Sequence, residues 1–321
     1  MPVINGPYGA NGPAPWPVVS PFARELFVWS AATSFGDGSS PDRPLSTAIQ
    51  AMKRAANAGL STSSSSKNDG VIIHLGPRHT ESVNAANWGS SLVSKNVEFR
   101  GYGAPGAADQ PKLLFTAAGA TFATAIPSGT VFRGVRLELC DTTADVTIAL
   151  PFDFTASGCG MVGCDIVVGT TAARLCTTGI RLSAGADDFV FEGNRLWGAT
   201  AAEITNAILV NAAVSRPRIN GNEMSAAIAT DTDGLVNFAA AAVDVRILGN
   251  YIESKAPGST GCVRGFAGLS GTVAYNTWDT RNNGVATAQG LLVPGAVRAF
   301  QNFSSDEDGR SGVLQPVAVA T

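Results

Sequence analysis

One phrase recurs along this chain: an alternating apolar strand, a Gly-Asn corner or its equivalent, then a second short strand. It reads FRGVRLEL from 132, MVGCDIVV from 161, FEGNRLW from 191, INGNEMS from 219, ILGNYIE from 247, VAYNTWD from 273 and, more weakly, AFQNFSS from 299. Taking Val135, Cys164, Asn194, Asn222, Asn250, Asn276 and Gln301 as equivalent, the steps are 29, 30, 28, 28, 26 and 25 residues. A second strand series, marked by Gly179, Asn206, Gly234, Gly261 and Gly290, steps by 27, 28, 27 and 29. Two series in phase on one period predict stacked coils, because each repeat buries its apolar face only against its neighbours.

The corner has its own chemistry. Asparagine tolerates the left-handed conformation of a sharp turn, and stacked side-chain amides can hydrogen-bond from coil to coil at about 4.8 Å. Asn194, Asn222, Asn250 and Asn276 are therefore expected to form an internal ladder. Two positions after the corner, Ile166, Leu196, Met224, Ile252 and Trp278 are expected to stack in the core. Three positions before it, Met161, Phe191, Ile219, Ile247 and Val273 are expected to do the same.

Upstream, the run from Phe27 to Val83 contains FVWSAATSFGDGSSPDRPLSTAIQAMKRAANAG and then DGVIIHLGPRHTESV. This order of strand, Gly/Asp loop, Pro-Leu-Ser-Thr helix start, amphipathic helix and Ile-rich strand resembles the opening of pectate-lyase-like β-helices. The resemblance implies an all-β, right-handed, single-stranded parallel β-helix with an N-terminal capping helix that plugs the open end of the solenoid. Ser46 or Thr47 is placed to cap that helix, and Ile49, Met52, Ala56 and Leu60 fall near one face. The stretch Ser61 to Asp69 departs from the pattern and is expected to be a surface loop. The division predicted is an extended arm over 1–24, a cap over 25–96 and the β-helix over 97–321.

Met1 to Ala23 carries no Asp, Glu, Lys or Arg, while six prolines alternate with glycines. Such a segment favours polyproline and turn conformations and makes no core of its own. Tyr8, Trp16 and Phe22 are its expected partner-binding anchors, since aromatics supply burial at modest entropy cost. The start lacks the basic-then-apolar pattern of a secretory signal, and no apolar run reaches membrane-spanning length. A protein made and assembled in the host cytoplasm, with no membrane partner, is the expectation.

Only 15% of residues are charged and the net charge is −3, so nucleic acid is not expected as a partner. The five cysteines, Cys140, Cys159, Cys164, Cys176 and Cys262, lack zinc-ligand spacing and are expected to be buried free thiols. With His74 and His79 the only histidines, no metal site or cofactor is expected.

Stacking turns columns of sequence into neighbours. The columns Asp165, Arg195, Glu223 and Asp188, Arg216, Asp244 alternate in sign and are expected to be exposed ionic ladders that fix register. One column brings acids together: Glu253 and Asp279, three positions after the corner, are the catalytic pair if the chain is a glycan hydrolase. Two exposed acids at a turn is the plainer alternative. Asp187-Asp188 and Asp231-x-Asp233 resemble acidic pairs of galacturonases, but the accompanying Asn-Thr-Asp, His-Gly and Arg-Ile-Lys motifs are absent. Asp306-Glu307-Asp308 is expected to be a solvated loop, and Val313 to Thr321 a final strand.

The resemblance also covers virion proteins of bacteriophages, which implies side-by-side trimers. The expectation is a homotrimeric capsid decoration, or cement, protein bound to the major capsid protein or another virion protein through its arm. It would sit on the capsid surface rather than the tail. The alternatives are a tailspike-like depolymerase using Glu253 and Asp279, and a non-catalytic adhesin that binds host surface glycan.

Overall fold

The computed structural model describes residues 24–57, 70–92, 95–102, 106–123, 125–141, 144–229, 234–255, 262–265, 268–279, 291–292, 296–305 and 312–313. Tyr8, Trp16, Phe22, the Ser61 to Asp69 stretch, the Asp231 and Asp306 acidic groups and nearly all of the last expected strand lie outside them.

The chain is a parallel β-solenoid, with one short helix among the described residues. Its first sheet runs through Arg24–Val28, Val71–Leu75, Val97–Gly101, Val131–Arg133, Gly160–Val162, Val190–Glu192, Arg218–Asn220, Ala242–Leu248, Leu269–Ala274 and Val297–Phe300. The second takes the strand after each corner, from Thr80–Val83 through Asp165–Thr171, Arg195–Gly198, Glu223–Ile228 and Tyr251–Ser254 to Phe303–Ser305. The third holds Phe152–Phe154, Thr178–Leu182, Asn206–Val210, Val236–Phe238, Val263–Arg264 and Leu291–Leu292. Every coil-to-coil pairing within these three series is parallel.

Successive side chains of a strand point to opposite faces, so a fixed repeat sends the same column inward on every coil. Met161, Phe191, Ile219, Ile247 and Val273 are fully buried, as are Ile166, Leu196, Met224, Ile252 and Trp278. The first sheet and the cap share this interior. Phe99, Phe115, Phe122, Phe132, Phe152 and Phe154 fill the early coils as one aromatic cluster, with Phe152 5.2 to 6.0 Å from four neighbouring ring centroids.

The helix, Ala48–Asn57, closes the end beside Arg24–Val28 and Val71–Leu75. Thr47 is its cap: the Thr47 hydroxyl accepts from the Gln50 amide at 3.2 Å, and the Gln50 side chain accepts from the Ser46 amide. Glu81, buried beneath the helix, accepts from the Ala48 N–H at 2.6 Å and contacts His79 Nε2 at 3.1 Å. A carboxylate there satisfies an otherwise orphaned donor and meets the positive end of the helix dipole. The buried face is Ala48, Ala51, Met52 and Ala55, whereas Ile49 and Ala56 are half-buried and Leu60 is not described. The expected face was thus rotated: small alanines let the helix lie close against the sheet ends.

Two register assignments are corrected. The last corner equivalent is Asn302, not Gln301, since Ala274 pairs Phe300 and Thr277 pairs Phe303; the last step is therefore 26 residues. In the third sheet Thr178, not Gly179, pairs Asn206; Gly261 and Gly290 lie outside the described residues.

Candidate functional site

The asparagine ladder is present and longer than expected. The Oδ1 of Asn194, Asn222, Asn250, Asn276 and Asn302 accepts in turn from the backbone N–H of Cys164, Asn194, Asn222, Asn250 and Asn276, at 2.9 to 3.2 Å. Each Nδ2 donates inward to a carbonyl of the first sheet: Met161, Phe191, Ile219, Ile247 and Val273. From Asn194 to Asn276 it donates also to the next amide oxygen. All five residues are buried.

The left-handed residue is not the asparagine, contrary to expectation. It is the residue before it: Gly163, Gly193, Gly221 and Gly249 at φ 59 to 64°, then Tyr275 at 59° and Gln301 at 50°. Glycine absorbs the turn without a Cβ penalty, which frees the asparagine for a conformation that aims its amide down the axis.

Glu253 and Asp279 are register partners on adjacent strands of the second sheet, as the column implied. They are not two solvated acids. Asp279 is 1% exposed and accepts from the Tyr251 hydroxyl at 2.9 Å, while Glu253 accepts from the Ser225 hydroxyl. Ser225, Glu253 and Asp279 occupy one column on three consecutive coils; Ser225 of that column holds Glu253, and Tyr251 of another column holds Asp279. A hydrolytic pair needs an acid and a base or nucleophile presented to a bound sugar. The two clefts of the solenoid described here are lined by neither residue.

The charged columns divide. Asp188 and Arg216 form a bidentate pair at 2.7 and 2.8 Å, and this hydrogen bonding holds the Asp188 carboxyl below the usual range. Asp165 departs from the expected exposed ladder. It is fully buried and takes Arg136 of the preceding coil at 3.0 Å, not Arg195. Arg136 also binds Glu138 at 2.7 Å and stands 6.0 Å from the Trp197 ring. Bulky neighbours thus seal this stretch of the outer face.

At the cap, a cleft of about 340 Å³ is lined by Trp29, Pro44, Pro77 and the stack Phe27–His74–Tyr102. Burial pushes His74 below the ordinary imidazole value, and Glu25 only partly opposes this. The ring is a neutral apolar wall at pH 7. Among the described residues no group of three or more His, Cys, Asp or Glu is placed to hold a metal ion. Among those residues no helix is long and apolar enough to cross a membrane.

All five cysteines are free and buried. Burial pushes the Cys140 and Cys262 thiols up to about 12 and those of Cys159 and Cys164 up to about 11, from an ordinary 9.0; carboxylates beside Cys140 and Cys262 add to the rise. The folded chain then keeps protons that the unfolded chain releases. Stability contributed by the neutral thiols is complete below pH 9 and is lost as pH rises toward about 12. Denaturant midpoints measured from pH 8 to 11 should fall above pH 9, and less steeply in a Cys140→Ala, Cys262→Ala variant; parallel curves would contradict the assignment.

Comparison with family models, with curated proteins and with solved structures finds no match to this chain.

Proposed function

We propose that this chain is a non-catalytic structural protein of a bacteriophage virion, a capsid decoration protein built on a pectate-lyase-like β-helix. Residues 1–23 would bind the coat through Tyr8, Trp16 and Phe22, and three copies would stand side by side. The observation that carries the non-catalytic reading is the engagement of Glu253 and Asp279 with Ser225 and Tyr251. A hydroxyl that donates to a carboxylate stabilises the anion and weakens it as a base or nucleophile.

The rest of the reading follows from material properties. A solenoid pinned along one corner of its later coils by buried amides makes a rigid body. An uncharged proline-rich segment that orders on binding covers a large surface, and three such segments in one assembly multiply retention through effective concentration.

The test has two arms. Antibody raised against the solenoid, viewed by electron microscopy on intact particles of the virus that encodes the chain, should label heads, and the purified protein should sediment near three times 32.8 kDa. Incubated with host polysaccharide, it should release no reducing ends above background. Label on tails alone with depolymerisation abolished by Glu253→Gln would establish the enzyme instead, and unlabelled particles would remove the virion role.

A further inference from the structure

The coil step shortens from 28 residues between Ile219 and Ile247 to 26 between Ile247 and Val273. One of the two residues is already gone by the third sheet, where Val236 pairs Val263; the other is lost at one corner. Asp188, Arg216 and Asp244 hold that corner on three coils, each left-handed at φ 55, 56 and 54°. On the next coil Ala242 pairs Leu269 but Val245 pairs Gly271, so Val243 and Asp244 face the single residue Ser270. Two residues against one is a β-bulge, which twists and re-aims the strand. Gly271, at φ 137°, forms the floor, where any Cβ would collide with the Val245 carbonyl.

The result is an outward cleft of about 320 Å³ lined by Arg216, Arg218, Asp244, Val245, Arg246, Gly271 and Thr272. Arg218 and Arg246 are register partners on adjacent strands, so their side chains rise about 4.8 Å apart. Like charges placed so are unfavourable unless something neutralises them. Elsewhere in this same sheet the protein solves the problem internally: Arg100 and Arg133, also register partners, share Glu98 at 2.7 and 3.0 Å. Among the described residues no carboxylate forms an ion pair with Arg218 or Arg246. Of the corner carboxylates, Asp188 binds Arg216 and reaches Arg218 only through its field, while Asp244 acts on Arg216.

We infer that the cleft is a binding site for a tetrahedral oxyanion, phosphate or sulfate, which takes at Arg218 and Arg246 the place Glu98 takes at Arg100 and Arg133. Guanidinium forks present paired N–H groups that match such oxygens, and Thr272, register partner of Arg246, adds a hydroxyl donor at the third coil. The anion is either free in solution or an ester group on a polysaccharide. This assignment is independent of the virion reading and stands or falls separately from it.

Titration calorimetry at low ionic strength with sodium phosphate and with dextran sulfate, uncharged dextran serving as control, tests it. Saturable binding that weakens at least tenfold in Arg218→Gln, Arg246→Gln but not in Arg78→Gln supports the site. Response to phosphate alone identifies the free ion, and response to dextran sulfate alone identifies the ester. Thr272→Glu supplies an internal carboxylate next to Arg246 and should abolish binding while the fold is retained, which covers the case of a poorly folding double variant. Absence of binding to both probes, or binding by the double and Thr272→Glu variants as tight as the parent's, would overturn the proposal.

Discussion

Asn222→Ala should destabilise the protein by about 3 kcal/mol, while Asn211→Ala, at an exposed loop position, should stay within about 0.5 kcal/mol. The asymmetry comes from what each change leaves behind. Asn222 accepts from Asn194 N–H and Nδ2 and donates to Phe191 O and Asn250 Oδ1, all inside the solenoid. Removing it strands the Asn194 N–H away from water and takes from the buried Phe191 carbonyl and the Asn194 side-chain amide one partner each. Each buried, unpaired polar group costs about 1 to 3 kcal/mol, whereas a missing exposed hydrogen bond is replaced by solvent. Asn222→Asp should be at least as damaging, because it keeps the acceptor, loses the donor and buries a charge. Equilibrium denaturation of the three variants measures this directly, and equal midpoints for Asn222→Ala and Asn211→Ala would refute the ladder's energetic role.

Phe152→Ala should have the largest effect of any single substitution in the early coils, about 3 to 5 kcal/mol. Phe152 is fully buried and meets Phe115, Phe122, Phe132 and Phe154 at centroid distances of 5.3, 5.5, 5.2 and 6.0 Å. Phe115, Phe132, Phe152 and Phe154 come from strands of all three sheets and Phe122 from a connecting segment, so the cavity left by truncation cannot close by moving one element. Phe152→Leu, which keeps most of the volume, should cost less than half as much. Denaturant titrations followed by near-ultraviolet circular dichroism would show both the loss of stability and the loosening of the aromatic cluster. A Phe152→Ala protein with the parent midpoint would place the ring outside the core.

Much of this was legible in the residues because a solenoid writes its contacts into its period. Once Asn194, Asn222 and Asn250 are aligned, the burial of Leu196, Met224 and Ile252 and the adjacency of Glu253 to Asp279 follow from strand alternation alone. The failures occur where alignment is by letter rather than by backbone. Gln301 was aligned with asparagines because it is an amide, yet its neighbour Asn302 occupies the column. Asn is credited with the left-handed turn on propensity, although Gly sits one place before the corner in five of the repeats, at Gly134, Gly163, Gly193, Gly221 and Gly249.

Columns also say who is adjacent but not how deep. Asp165 was read as exposed because its column alternates in sign, but Arg136 and the residues about it close over the carboxylate. The Arg218–Arg246 cleft was missed altogether. Its only sequence signal is the drop in step from 28 to 26, and step length gives the number of residues removed, not the corner from which they are taken.

The claim beneath all of this is that corner asparagines are hydrogen-bonded in series along the rod. Trans-hydrogen-bond scalar coupling in a deuterated sample reads it out: the backbone nitrogens of Asn194, Asn222 and Asn250 should each couple to the side-chain carbonyl carbon of Asn222, Asn250 and Asn276 respectively. Couplings from those nitrogens only to backbone carbonyls, with side-chain amides exchanging rapidly with water, would contradict the ladder and the stacked coils it pins.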